Sequence, residues 1–397
     1  MTTQVGIIGC GIIGAAIAYE LSQVADLNIT VLDRQPPAAG CTSAALGVMM
    51  GVISQKLKGR AWQLRQASMR RYETLIPELE AITGQSIPFN LDGILMLHFA
   101  GEDLAAWEKL IETRRSQGWH LESWNADRVR SCCPQLKNER IVGAIYSPQD
   151  RQVEPTALTK ALVTAAQRNG VTFKFGVTVN AAQSIVCDRL PLFESPPNSE
   201  QETDCTKVRK CCYINTDAGT LEVDWLVIAA GLGSEKLASF LPSPAIKQSS
   251  PITIKPVLGQ ALQLQLEQAI GNPDFQPVIT GDDVHIVPMG AGNYWVGATV
   301  EFPAPSGEVV ADPVLLEKVR QDAIAFCPQL AEATIVRTWS GKRPRPEGRS
   351  APVIDRLLGY SNVLLATGHY RNGILLAPAT AQVIREFITT PVPSIPY

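Results

Sequence analysis

Three glycines near the start of the chain have the spacing of a turn that binds phosphates. Gly9, Gly11 and Gly14 follow an apolar segment, residues 4–8, that is typical of a buried parallel strand. The first glycine permits a tight turn, the second lets the backbone approach a pyrophosphate, and the third allows a helix to pack closely on the strand. Asp33 stands 19 residues after Gly14, where a carboxylate can bind a ribose. The pattern predicts a dinucleotide site.

A stretch of small residues after this acid, residues 40–47, helps to decide between NAD and FAD. A backbone with small side chains and hydroxyl groups can lie along a pyrophosphate and a flavin ring. The alternative role for these hydroxyl groups is to cap a helix. The residues expected to touch the cofactor here are Thr42, Ser43, Ala44, Ala45, Gly47 and, just beyond, Val48.

A polar stretch near the C-terminus, residues 368–374, lies between an apolar strand and an apolar helix. The N-terminus of that helix would direct its partial positive charge at the negative charge that a reduced flavin carries near N1 and C2=O. The stretch consists of Gly368, His369, Tyr370, Arg371, Asn372, Gly373 and Ile374. Together with residues 40–47, it predicts FAD and not NAD.

A parallel sheet is needed to hold these stretches, and its strands are scattered along the chain. A helix is expected at residues 15–24, directly after the glycine turn. Short apolar segments predict buried strands at residues 4–8, 28–32, 171–175, 225–229 and 363–366. We therefore expect a discontinuous, Rossmann-like cofactor domain formed by residues 1–88, 148–235 and 335–397.

The remaining segments predict a second, mainly antiparallel sheet that would cover the substrate. Strands are expected at residues 93–99, 141–146, 253–266 and 284–300, the last around a turn at 290–293. Helices are expected at residues 102–117 and 312–326. These segments define a substrate domain of residues 89–147 and 236–334. Residues 190–210 read as a surface loop or a long hairpin, and residues 391–397 as a loosely held tail.

Composition excludes several classes of function. The chain has 397 residues and a net charge of −3, which gives no attraction to nucleic acid or to an anionic membrane. The longest apolar run, residues 44–53, is too short to span a bilayer. No signal peptide is evident, so a cytoplasmic location is expected. A short basic cluster predicts a solvated helix face; it consists of Lys56, Lys58, Arg60, Arg65, Arg70 and Arg71.

The nine cysteines and four histidines do not form a metal-binding pattern. No pair has the C-x-x-C spacing, and the histidines are scattered. An odd number of cysteines with two vicinal pairs fits reduced thiols in a cytosol. We therefore expect no metal site.

Several motifs resemble the D-amino acid oxidase family of FAD-dependent oxidoreductases, and within it the glycine oxidases of thiamine biosynthesis. The motifs are GIIGCGIIGAAIAYEL (6–21), TSAALG (42–47), HIVP (285–288), VGAT (296–299), WSGKRP (339–344) and GHYRNGILLAPAT (368–380). The resemblance implies an α/β fold, with a Rossmann-like FAD domain of the GR2 type beside an antiparallel substrate domain. It further implies cofactor contacts from Gly9, Gly11, Ile12, Ile13, Gly14, Asp33, Arg34, Val179, Ala230 and Gly231.

The activity implied by the resemblance is oxidation of an amine that carries a carboxylate. In the family, hydride leaves Cα for flavin N5, the imine is hydrolysed to a keto acid and ammonia, and O₂ is reduced to hydrogen peroxide. The partners expected are a small amino acid and O₂, with a homo-oligomer as a possible assembly. A dehydrogenase that passes electrons to a quinone or another acceptor is the alternative enzyme, and a flavin-containing binding protein is the alternative of a different class.

The resemblance also assigns roles to four side chains. Arg343 would pair with the substrate carboxylate, its alternative being a structural ion pair. Arg371 would lie over the flavin and the pocket, its alternative being a surface arginine. His285 stands where glycine oxidases have a tyrosine, and it could titrate at about pH 6.5 or be structural. Met49, next to Val48, would lie over the flavin ring.

We expect FAD to be bound noncovalently. Sarcosine oxidases of the broader family attach FAD to a cysteine at a position near residues 342–343. None of the nine cysteines lies near these residues in the sequence.

Overall fold

The computed structural model describes residues 2–188, 207–241 and 252–390. Its strands are β1 (Thr3–Ile8), β2 (Leu27–Asp33), β3 (Val48–Met49), β4 (Phe89–Asn90), β5 (Ile94–Phe99), β6 (Glu122–Asn125), β7 (Ile141–Ser147), β8 (Arg151–Val153), β9 (Thr172–Phe175), β10 (Val179–Asp188), β11 (Lys207–Thr216), β12 (Gly219–Glu222), β13 (Trp225–Ile228), β14 (Ile254–Gln265), β15 (Val278–Gly281), β16 (Val284–Gly290), β17 (Asn293–Gly297), β18 (Thr334–Pro346), β19 (Val353–Arg356) and β20 (Val363–Thr367).

The α-helices are α1 (Ile12–Leu21), α2 (Gly59–Thr83), α3 (Ala105–Ser116), α4 (Ala126–Cys132), α5 (Pro155–Arg168), α6 (Ser234–Ser239), α7 (Pro313–Phe326) and α8 (Gly373–Thr389). Short 3₁₀ turns lie at Gly231–Gly233, Pro328–Glu332 and Tyr370–Asn372. Within the described part of the chain, no helix has the length and apolar character needed to cross a membrane.

A six-stranded sheet in the order β19-β20-β13-β1-β2-β9 carries the glycine turn. Its strands run parallel except β19, which is antiparallel to β20. The helices α1, α2, α5 and α8 pack together beside this sheet and share a large apolar core with it. The small sheet β10-β11-β12 contributes to a second core with residues of the same parallel sheet.

An eight-stranded sheet in the order β18-β14-β17-β16-β15-β5-β7-β6 forms the other large layer. It is antiparallel apart from the pair β15 and β5. Helices α4 and α7 share an apolar core with it. Helix α7 begins where the sequence predicts, because Asp312 accepts a hydrogen bond from the N–H of Val314 and Pro313 occupies the first turn.

Together these layers are the mixed α/β fold expected from the sequence, with some differences in detail. Helix α1 begins at Ile12, three residues before the predicted start at residue 15, because the helix follows Gly11 directly. Strand β9 lies at the edge of its sheet, and its residues are largely exposed, whereas a buried strand was expected. Strand β18 belongs to the eight-stranded sheet, although the expected domain division places residues from 335 onward in the cofactor domain.

The basic cluster is not the wholly solvated helix face that the sequence suggests. Arg65 is buried at 8% exposure in α2, and it donates to the carbonyl of Ala61. The segment predicted as a surface loop or a long hairpin, residues 190–210, follows β10 and ends within β11, and these two strands pair antiparallel. Residues 189–206 and the predicted tail 391–397 lie outside the described residues.

Candidate active site

The glycine turn joins β1 to α1 through close backbone contacts. Gly9 has a φ of +106°, and a Cβ atom on it would crowd the backbone of Ala229, with the nearest atom at 2.6 Å. A Cβ atom on Gly14 would overlap the carbonyl oxygen of Gly9. Only glycine therefore allows the helix to start this close to the strand.

Asp33 and Thr42 hold the backbone of this turn in place. The Asp33 carboxylate accepts hydrogen bonds from the N–H groups of Cys10, at 2.6 Å, and Gln35, at 2.9 Å. The Thr42 hydroxyl accepts from the N–H of Ile12, at 3.1 Å. Thr42 thus caps the start of α1 from a distant segment, in agreement with the alternative reading of its hydroxyl.

A cavity of about 140 Å³ lies between the glycine turn and the eight-stranded sheet. The structure brings together at its walls many of the residues singled out from the sequence. On the side of the glycine turn these are Ile12, Thr42, Ala44, Ala45, Gly47 and Val48. From β16, β18 and the segment that leads into α8 they are His285, Arg343, Tyr370, Arg371, Gly373 and Ile374.

Further residues line the cavity that the sequence reasoning missed. They are Cys41, Leu46, Gly259, Ala261, Ala298 and Gly341. Glycines and alanines in strands carry no polar signal, so only their position in the sheet reveals them. Cys41 shows that distance along the sequence is a poor guide here, because it lines the same cavity as Arg343 although the two residues lie far apart in the chain.

Met49 does not lie where the sequence suggests. The side chain is fully buried in the core formed with α1, α2 and α8, and it does not line the cavity. The reason is the alternation of side chains along a strand, which places Val48 toward the cavity and its neighbour away from it. The expectation that Met49 touches the flavin is therefore not supported by its position.

Other expected site residues are not among those that line the cavity. Gly231, with a φ of +55°, follows β13 and accepts a hydrogen bond at its carbonyl from the Thr367 hydroxyl, at 3.1 Å. The remaining residues of this kind are Ile13 in α1, Arg34 and Ser43 at the surface, Val179 in β10, and Ala230, Gly368, His369 and Asn372 in the turns that follow β13 and β20.

Arg343 points from β18 toward the cavity and is held by backbone carbonyl groups. Its Nη1 donates to the oxygen atoms of Leu258 and Thr299, both at 3.1 Å. A Cβ atom on Gly259 would overlap the guanidinium, so this glycine provides the space that the guanidinium occupies. No ion pair to a described carboxylate is formed, which does not support the alternative of a structural ion pair.

Arg371 brings a second positive charge to the same cavity. The residue is exposed and has no hydrogen-bond or ion-pair partner among the described residues. Burial lowers the pKa of Arg343, and the neighbouring charge of Arg371 lowers it further. The Arg343 guanidinium nevertheless remains charged at physiological pH. No carboxylate of a described residue lines the cavity, so its walls favour an anion.

His285 is neutral in this environment. Burial lowers its pKa to about 4, and the charges of Arg371 and Arg343 act in the same direction, against a smaller opposing effect of Asp283. The sequence-based expectation of titration at about pH 6.5 is therefore wrong, because the side chain is enclosed beside two cations. Its Nδ1 lies 2.9 Å from the Thr280 hydroxyl.

The N-terminus of α8 faces the cavity with free N–H groups. No side chain caps this end at Asn372, and both Gly373 and Ile374 line the cavity. Behind it, His369 Nε2 lies 2.9 Å from the Thr380 hydroxyl, which itself donates to the carbonyl of Leu376. His369 must therefore donate from Nε2. The turn is thus held from inside the core, and the helix end presents partial positive charge.

A buried polar cluster holds the chain segment that follows Val48 and Met49. Asp150 accepts hydrogen bonds from the N–H groups of residues 51–53, at 2.6 to 2.8 Å, and from the Ser147 hydroxyl. Arg114 is fully buried and donates to the carbonyl groups of Val52, Ser54 and Lys56, at 2.7 to 2.8 Å. Its guanidinium also stacks 3.6 Å over the ring of Trp62. No sequence motif marks this cluster, because its members lie far apart along the chain.

These features together fit FAD. The glycine turn leaves no room for a side chain where a pyrophosphate would approach, and α1 offers N–H groups at the same place. The uncapped end of α8 suits the negative charge of a flavin ring. The cavity is continuous from Ile12 to Arg343, so one elongated group can reach both.

Comparison with known proteins identifies the family. The model of the family "DAO: FAD dependent oxidoreductase" matches residues 4–387. The bifunctional protein ThiO/ThiG of Trichormus variabilis is 29% identical over 395 residues, covering 98% of this chain and 53% of that protein. The chain thus spans about half the length of the ThiO/ThiG relatives it matches.

Two glycine oxidases match over nearly their whole length. That of Pseudomonas putida is 32% identical over 398 residues, covering 100% of this chain and 97% of that protein. The crystal structure of the Bacillus cereus enzyme matches with a TM-score of 0.79 at 24% identity, covering 98% of this chain and 95% of the other, which shows the same fold. The chain therefore belongs to the DAO family of FAD-dependent oxidoreductases.

Proposed function

We propose that this protein is an oxidase of glycine or another small amino acid. The substrate is deaminated to a keto acid and ammonia through hydrolysis of an imine, and O₂ is reduced to hydrogen peroxide. FAD, when bound, supplies the two-electron acceptor. The observation that carries the proposal is the pair of guanidinium groups, Arg343 and Arg371, in one cavity with the uncapped end of α8.

Arg343 is suited to bind the substrate carboxylate. A guanidinium offers a planar, bidentate grip, and backbone carbonyl groups already fix its orientation from behind. Such a grip sets the direction of the bonds at Cα. Orientation is the main contribution that a protein can make when a cofactor carries the chemistry.

Arg371 acts as the second positive charge of the cavity. Two cations without a carboxylate on the walls favour the anionic form of an amino acid, in which the amine is neutral. A neutral amine has the electron pair that is needed to form an imine. No strong general base is then required. This agrees with the cavity walls, where no described residue contributes a carboxylate.

The choice of glycine as substrate and the role in thiamine biosynthesis are supported by the names of the related proteins. Proteins named glycine oxidase match over nearly the whole chain, and proteins named ThiO/ThiG match over about half of their own length. We include in the proposal the role in thiamine biosynthesis that the sequence resemblance implies. Noncovalent FAD, a cytoplasmic location and a homo-oligomeric assembly are further parts of it.

A panel of amino acids with peroxide detection tests the proposal on the purified FAD-loaded protein. We expect peroxide with glycine, sarcosine or a small D-amino acid. Reduction of the flavin without peroxide, but with transfer to a quinone or a dye, would identify the dehydrogenase alternative. If no amine in the panel reduced the flavin, the proposal would fail in favour of a flavin-containing binding protein.

A further inference from the structure

We propose that Thr280 is a positioning residue, which fixes the ring of His285 so that its Nε2 accepts a hydrogen bond from the substrate amine. This inference rests on the proposed function and extends it from the acid end of the substrate to the amine end. It assigns a role to a threonine that no sequence motif marks, and it gives His285 a partner on each side of the ring.

The two residues face each other across neighbouring strands. Thr280 in β15 is paired in register with His285 in β16. On a directly opposite pair, both side chains project from the same face of the sheet. The Thr280 hydroxyl lies 2.9 Å from His285 Nδ1, and Thr280 itself is buried at 6% exposure. The hydrogen bond therefore forms away from bulk solvent.

The other ring nitrogen faces the cavity. His285 is one of the lining residues, and its Nε2 makes no hydrogen bond to a described residue. This nitrogen is not one of the buried polar atoms without a partner, in contrast to His98 Nε2. A bound molecule beside Arg343 would therefore find this nitrogen open to it.

The charges around the His285 ring influence its protonation state and that of the substrate amine. Arg371, which follows β20, and Arg343 on β18 are the cations that face His285, and Asp283 in the turn before β16 is the only acidic group that acts on it in the described chain. Burial, together with the two cations, keeps the imidazole neutral, and the cations disfavour an ammonium group beside it. The amine of a bound amino acid is then neutral and needs an acceptor for its N–H groups.

The hydrogen bond between Thr280 and Nδ1 allows Nε2 to be that acceptor. A neutral imidazole has one N–H and one bare nitrogen. If Nδ1–H donates to the Thr280 hydroxyl oxygen, Nε2 is left bare and accepts from the amine. The opposite tautomer would place a third donor in a cavity where two guanidinium groups already supply donors. A carboxylate on Arg343 and an amine N–H on His285 would hold the substrate at two points.

Two substitutions of Thr280 test the inference in the FAD-loaded protein. Thr280→Val keeps the shape and removes the hydroxyl group, and Thr280→Ser keeps the hydroxyl group. The probes are glycine, read as the rate of anaerobic flavin reduction, and acetate, read as a dissociation constant from the change in the flavin spectrum. Acetate has the carboxylate of the substrate but no amine.

We expect Thr280→Val to slow reduction by glycine at least about tenfold and to leave the acetate constant within about twofold. Thr280→Ser should restore most of the rate. Equal loss for glycine and acetate, or wild-type rates in Thr280→Val, would overturn the inference. If the wild-type flavin binds acetate but no amino acid reduces it, the proposed function itself fails, and that outcome is separate from any effect of the substitutions.

Discussion

The guanidinium of Arg343 occupies the space where a side chain of Gly259, on the neighbouring strand, would lie, because a Cβ atom on the glycine would overlap it. The guanidinium is held at this position by the carbonyl groups of Leu258 and Thr299. Its place beside the cavity thus depends on a residue with no side chain. This relationship leads to the first prediction.

The variant Gly259→Ala should displace Arg343 and weaken substrate binding while FAD remains bound. We expect the KM for the best amino acid to rise about tenfold or more, since a misplaced cation loses its directed contact with the carboxylate. Steady-state kinetics and the flavin spectrum give the two readouts. Gly233→Ala, where a Cβ atom makes only an ordinary contact at 3.5 Å, is the control and should behave as wild type.

Removal of the Arg343 side chain should abolish the grip on the acid end. We expect Arg343→Ala to raise KM by about two orders of magnitude or more, since loss of one partner of a buried charge pair costs roughly 3 to 5 kcal/mol. The neighbouring residue Lys342 is exposed and offers a matched control in Lys342→Ala. A KM for Arg343→Ala equal to that of the control would remove the carboxylate-binding role.

The buried guanidinium of Arg114 should matter for folding. Arg114→Lys keeps the charge but cannot reproduce the fork of donors to Val52, Ser54 and Lys56, nor the stacking on Trp62. We expect a loss of about 2 kcal/mol or more in the free energy of unfolding, measured by denaturant titration. Arg115→Lys, at the adjacent exposed position, should change it little. Equal stability of the two variants would contradict the structural role.

Acid should destabilise the fold partly through His369. Burial lowers the pKa of this histidine to about 3, below its value of about 6.5 in an unfolded chain. The unfolded state therefore takes up the proton first, and stability is lost as the pH falls from about 6.5 toward 3. His369→Gln should give a shallower decline in the unfolding midpoint over this range.

The control for this experiment is His120→Gln, because the His120 side chain is 59% exposed. The slope of the pH dependence is compared, not the absolute stability, so that a general weakening by the substitution does not affect the conclusion. An unchanged slope in His369→Gln would show that this histidine is protonated to the same extent in both states.

FAD should be released when the protein is precipitated with acid, since we propose a noncovalent cofactor. The yellow colour is then expected in the supernatant. The test has a specific opposing outcome, because Cys41 lines the cavity and is a free thiol. Flavin that stays with the precipitate, and that a Cys41→Ser variant no longer retains, would show a covalent bond.

The sequence allows the local backbone structure on the glycine-turn side of the cavity to be predicted, because its signals are local. The turn from Gly9 to Gly14, the acid Asp33 and the helix start at Gly373 each depend on backbone geometry within a few residues. Such constraints restrict which residue types occur and how they are spaced, so they can be recognised in the sequence. The family motifs then place Arg343 beside them, and the cavity brings the two together.

Contacts between distant segments could not be predicted in this way. The pairing of Thr280 with His285, the space at Gly259 and the cluster of Asp150 and Arg114 all depend on the register of strands and the packing of loops. The inward or outward direction of a strand residue is also set by register. A two-residue strand such as Val48–Met49 offers too short an alternation to decide it, and Met49 was assigned to the wrong side.

The central claim is that a small amino acid binds by its carboxylate beside FAD and reduces it. The most direct test is anaerobic mixing of the FAD-loaded protein with glycine, sarcosine and D-alanine in turn, followed by admission of air. We expect at least one of them to bleach the visible flavin band, and air to restore it with one hydrogen peroxide per flavin. A flavin that stays oxidised with all three, or that binds no carboxylate, would contradict the account.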